Sequence, residues 1–136
     1  MAAISPISGP SAFRTLRSGA TTSQTDWIDT PHWATKAIVT LSVTTAGTST
    51  IPTFHAADPV LRDDAQAMAL FAGATITAAS NHFYLLGDYP KVAEVADGAA
   101  ADAIVLQDEL VMIPALLGIQ IVATGSTYTL SIHFKK

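Results

Sequence analysis

Alternation of apolar and polar side chains near the end of the chain constrains its fold more than any other feature. Ile119, Ile121 and Ala123 alternate with Gln120 and Val122, and Tyr128, Leu130, Ile132 and Phe134 alternate with Thr129, Ser131 and His133. A period of two puts one set on one face of a strand and the other set on the opposite face. Between the runs lies Thr124-Gly125-Ser126, whose glycine takes positive φ without steric cost. The pattern predicts an antiparallel hairpin. Burial of Tyr128, Leu130, Ile132 and Phe134 stabilises by roughly 1.5–3 kcal/mol each before entropy is subtracted. A one-residue slip of register would expose all four.

Similar patterns recur upstream. Thr25–Trp33 reads as a short strand and a turn. Lys36–Ala46 alternates, with Ala37, Val39, Leu41 and Val43 on one face and Thr40, Ser42 and Thr44 on the other. After a turn at Ala46-Gly47-Thr48, Thr50–Ala57 continues as a strand in which Pro52 lacks a ladder donor, so it belongs at an edge or a bulge. Asp58-Pro59 ends that strand, and Arg62-Asp63-Asp64 reads as an exposed loop. Ala67–Ala78 and His82–Gly87 read as the next strand pair. Lys91–Ala103 is Ala-rich but holds Asp97-Gly98, and reads as a long loop with at most one helical turn. Ile104–Leu106 and Leu110–Ile113 are short apolar runs before Pro114. About seven or eight short strands with regular turns predict an all-β fold, an antiparallel β-sandwich or a jelly-roll-like barrel.

The stretch 1–24 is unlike the rest. It holds Pro6, Gly9, Pro10 and Gly19 among many serines and threonines, with Arg14 and Arg17 as its only charges. It reads as an extended N-terminal arm, leaving 25–136 as one folded domain. Such a stretch is either a disordered terminus or an arm that orders on a partner's surface. Ile4, Ile7, Phe13 and Leu16 are its candidate anchors, and Arg14 and Arg17 its candidate pairing groups for carboxylates.

A chain of 136 residues is long enough to bury an independent core. Only 13% of it is charged, about half the usual share, and much of the polar remainder is threonine and serine. Such a neutral, hydroxyl-rich surface favours sheets, and it suits a small soluble β domain as much as a protein packed against copies or partners. The net charge of −4 removes the electrostatic term behind most nonspecific nucleic-acid affinity, so direct nucleic-acid binding is not expected. The chain has no cysteine, which rules out disulfides and thiolate chemistry and suits a reducing cytoplasm. The first residues lack the basic and apolar regions of a secretory signal. Leu110–Ala123, interrupted by Pro114, Gly118 and Gln120, is too short and broken to span a bilayer.

No catalytic grouping stands out. His32, His55, His82 and His133 are dispersed, without metal-ligand spacing, and the adjacent carboxylates Asp63-Asp64 and Asp108-Glu109 do not form a working pair. Nucleophile elbows, phosphate-binding glycine loops and calcium loops are missing. Neither an enzyme nor a cofactor is expected. Trp27 and Trp33 are close enough in sequence to form a carbohydrate-stacking platform, although tryptophan in a small β domain is more often core or interface mass.

Several stretches, taken in order, resemble small β-rich virion structural proteins of tailed bacteriophages. They are Ile38–Val43 followed by Thr44-Thr45-Ala46-Gly47-Thr48, then Asp58-Pro59-Val60, Ala74-Thr75-Ile76-Thr77-Ala78, Tyr89-Pro90, Ile113-Pro114 and Thr127-Tyr128-Thr129-Leu130-Ser131. The chain departs from the pattern at Asp63-Asp64-Ala65 and in the Ala-rich Lys91–Ala103. The resemblance implies a head decoration or cement protein, made in the host cytoplasm and seated as a homotrimer on the outside of the major capsid protein lattice. A tail or head-tail connector component, or a receptor- or carbohydrate-binding β domain, is the alternative.

Overall fold

The computed structural model describes residues 3, 12–87, 102–104 and 113–136. Nine strands lie among them: β1 (Phe13–Ala20), β2 (Gln24–Asp29), β3 (Lys36–Thr45), β4 (Ser49–Ala56), β5 (Met68–Ala72), β6 (Ser80–Gly87), β7 (Asp102–Ile104), β8 (Leu116–Thr124) and β9 (Thr127–Lys135). They form a five-stranded sheet, in the order β1-β9-β3-β6-β7, and a four-stranded sheet, β2-β8-β4-β5. Neighbours run antiparallel except β6 and β7, which are parallel. The all-β sandwich expected from the sequence is what the chain adopts.

The core is the space between the sheets. Ile28, Phe54, Leu117, Ile119 and Ile121 fill it from the four-stranded sheet, and Val39, Leu41, Leu86, Leu130, Ile132 and Phe134 from the five-stranded one. Every inward residue predicted for β3 and β9 is buried: Ala37, Val39, Leu41 and Val43, then Tyr128, Leu130, Ile132 and Phe134. Alternation alone reads correctly here because each of these strands has one covered face.

Pairing differs from the prediction at the end of the chain. β8 and β9 do not form a hairpin, because β8 bonds to β2 and β4 while β9 bonds to β1 and β3. Thr124-Gly125-Ser126 is an arch that carries the chain from one sheet to the other, with Gly125 at φ 74°. A hairpin would put both apolar sets on one face of one sheet. The arch turns them toward each other across the core. β3 and β4 are joined by a similar arch, and the two arches are in contact. Thr48 N donates to Thr124 O at 2.8 Å, and a Cβ on Gly47 would come within 2.3 Å of the Gly125 backbone. Beneath them, Thr50 Oγ1 donates to Ser126 Oγ at 2.6 Å in a buried site.

The predicted pairing of Ala67–Ala78 with His82–Gly87 also fails, since β5 bonds to β4 and β6 to β3 and β7. Pro52, expected at an edge or a bulge, is not on an edge strand, and the register shift of β4 against β5 falls between Phe54 and His55. β4 lies inside its sheet, but regular pairing with β5 stops at Thr53 and Ala72, Gly73 N bonds back to Pro52 O at 2.8 Å, and contact resumes at Thr50 and Ile76. Of Lys91–Ala103, only the backbone of Asp102 and Ala103 lies among the described residues, so its expected loop lies outside them.

The stretch read as an arm contains β1, an edge strand paired with β9, so the sandwich takes in residues before 25. Leu16, 8% exposed, belongs to the core. The sequence hides this strand because one of its two inward positions is Arg14, whose guanidinium carbon lies 5.7 Å from the centroid of the Phe134 ring. A cation over an aromatic face serves there as an apolar side chain would, but it breaks the hydropathy pattern.

Candidate functional site

Of the six residues picked out for partner binding, Ile4 and Ile7 lie outside the described residues. The other four are distributed by β1. Arg14 and Leu16 face inward and are used by the fold. Arg17 makes a two-pronged bond to Asp26, Nη2 to Oδ1 at 2.6 Å and Nε to Oδ2 at 3.1 Å, and this bond raises its pKa. Phe13 stays outside, 56% exposed, with its ring edge-on to His133 at 6.0 Å.

The described residues hold a second grouping on the outer face of the four-stranded sheet. Register places Trp27, Gly118 and His55 in one row across β2, β8 and β4, and Thr25, Gln120 and Thr53 in the adjoining row. Gly118 is the position in β8 where a side chain would collide, since a Cβ would come within 2.7–2.9 Å of three atoms of the Trp27 indole. Glycine inside a strand costs stability and marks a close approach. Here the approach is by Trp27, whose indole lies across the gap toward His55, with ring centroids 6.5 Å apart. His55 Nε2 and Gln120 Oε1 are 3.3 Å apart.

One wall of this depression comes from the segment after β4. Asp63 caps the single 3-10 turn Asp64–Gln66 by accepting from Ala65 N at 3.0 Å. Ala57 and Leu116 are buried together, with Trp27 and Ala67 packed on them. Thr25, Trp27, His55, Asp64, Ala67 and Gln120 together line an open hollow of about 220 Å³. It offers an aromatic surface ringed by hydroxyl, amide, imidazole and carboxylate groups. This is the equipment of a binding surface for a small polar ligand.

Trp33 is not part of it. That ring packs against the core, so the two tryptophans do not share a platform. Nothing in the spacing of His55, Gln120 and Thr25 along the chain marks them as site residues. Gly118, a glycine inside an alternating apolar run, is the signal that could have led to them.

Elsewhere, Asp58 Oδ1 accepts from Val60 N at 2.7 Å and Leu61 N at 3.1 Å, closing a tight turn. Arg62, at φ 50°, bonds through Nε to Pro59 O and through Nη2 to Asp29 Oδ1, both near 3 Å. These bonds hold Val60, 86% exposed, and Leu61, 60% exposed, out into solvent.

Ser80 Oγ and His82 Nε2 are 2.6 Å apart on the inner face of β6. This resembles half of a nucleophile-and-base arrangement, but burial lowers the His82 pKa, and among the described residues its Nδ1 has no partner to orient it. Among the described residues no three histidine, cysteine, aspartate or glutamate side chains are grouped to hold a metal ion, and no helix is long and apolar enough to cross a membrane. Compared with family models, curated proteins and solved structures, the chain matches none.

Proposed function

We propose that this chain is a structural component of a tailed-bacteriophage particle, a head decoration protein that sits on the outside of the major capsid protein lattice and stabilises it. The observation that carries the reading is the turn Asp58–Arg62. Its first three residues belong to the resemblance with phage virion proteins, and its bonds present Val60 and Leu61 as a pre-ordered apolar tip. Large apolar side chains held out from a fold that already has a closed core serve an interface, and ordering them in advance lowers the entropy lost on docking. The low charge of the chain fits repeated packing among copies, with the homotrimer as the assembling unit.

The test is to add the purified chain to capsid shells lacking it. Wild type should bind in large multiples set by the lattice symmetry. Val60→Asp with Leu61→Asp should keep the melting temperature of the free protein and lose shell binding. A few copies per particle would instead place the chain in the tail or connector.

A further inference from the structure

We propose that the hollow over Gly118 is a saccharide-binding site, taking one neutral pyranose ring against Trp27. This stands independently of the decoration reading, since a glycan site would work on a particle surface or on any other protein. The argument begins with Gly118. The central strand gives up a side chain here, in a position flanked by β2 and β4, and Trp27 occupies the space released. Had covering the sheet been the only requirement, a β-branched residue at 118 would pack the row at less cost in backbone entropy.

The surroundings then select the ligand. Thr25, His55 and Gln120 bring hydroxyl, imidazole and amide groups, which both donate and accept, to the same hollow as the indole. Vicinal hydroxyls need that mixture, and the apolar C–H face of a sugar ring needs an aromatic surface beside it. Asp64 on the rim accepts hydrogen bonds and disfavours anions, as does the net charge of −4, so phosphorylated or acidic sugars fit poorly. A hollow of about 220 Å³ is smaller than most drug-sized sites, which matches one ring of a longer glycan.

The experiment is a two-dimensional NMR titration of the full chain with methyl glycosides of neutral hexoses and N-acetylhexosamines. At least one should shift the Trp27 indole resonance saturably while that of Trp33 stays in place. His55→Ala and Gln120→Ala alter outward-facing side chains and should each weaken binding about tenfold with the fold intact. Trp27→Phe should bind weakly and Trp27→Ala not at all. The proposal is overturned if no saccharide moves the Trp27 signal, if the folded His55→Ala and Gln120→Ala double variant binds as wild type does, or if an apolar or proline-rich peptide occupies the hollow when sugars do not.

Discussion

Arg17 and Asp26 join the two sheets at one edge of the sandwich. Arg17 projects from β1 and Asp26 from β2, and the carboxylate, 5% exposed, receives both guanidinium bonds. A charge so covered depends on its partner, because removing one member of a buried pair costs far more than the pair contributes in net stability. Tyr128 Oη reinforces the edge by donating to Thr22 O at 2.8 Å.

Truncation tests this edge. A chain lacking residues 1–11 keeps every pairing of β1 with β9 while losing the bridge of Ala3 to Asp63, and should still melt cooperatively. A chain lacking 1–24 would lose Leu16 from the core, Arg14 from Phe134 and Arg17 from Asp26, and would uncover the ladder of β9. It should be insoluble or melt far below wild type. A 25–136 protein that melts cooperatively at the wild-type temperature would refute the assignment of β1 to the folded unit.

Gly47→Ala should destabilise by about 1–3 kcal/mol or more, since overpacking against backbone has little room to relax. The new Cβ would lie 2.3–2.4 Å from backbone atoms of Thr124, Gly125 and Ser126. Gly19→Ala is the control. Gly19 has φ 61° but nothing within 4 Å of its Cβ position, so only conformational strain of about 1 kcal/mol applies. Chemical denaturation of the two variants should rank them in that order, and equal losses would count against the packed arches.

His82 predicts the direction of the acid response. Burial lowers its pKa in the folded chain below the ordinary value of 6.5. The unfolded chain therefore binds the proton more tightly, and stability falls as pH drops through about 6.5, levelling off below the folded pKa. His82→Gln keeps a hydrogen-bonding side chain beside Ser80 and removes the titration. Melting temperatures from pH 7.5 to 5 should fall less steeply in this variant, and identical slopes would show that His82 is not the group responsible.

What is legible in the sequence is which side chains face inward. Val39, Leu41, Leu130 and Ile132 announce themselves by alternation, and all are buried. Which strand lies beside which is not legible, because Ile121 and Tyr128 show the same local pattern whether Gly125 closes a hairpin or an arch. β1 escapes detection for a different reason, Arg14 standing where an apolar residue belongs. The hollow is a product of register. Thr25, Trp27, His55 and Gln120 come from three strands, and nothing in their separate positions brings them together before β2, β8 and β4 are aligned.

The crossing of strands between sheets also governs when this protein can fold. β1 has β9 as its sheet neighbour and β2 has β8, whereas β3 finds β6 before β9, so the first two strands wait longest for a neighbour. Closing such long loops before any contact rewards them makes folding slow and leaves apolar strands uncovered during synthesis. β1 therefore stays without its sheet neighbour until Thr127–Lys135 is made, and that segment then completes the five-stranded sheet by inserting between β1 and β3.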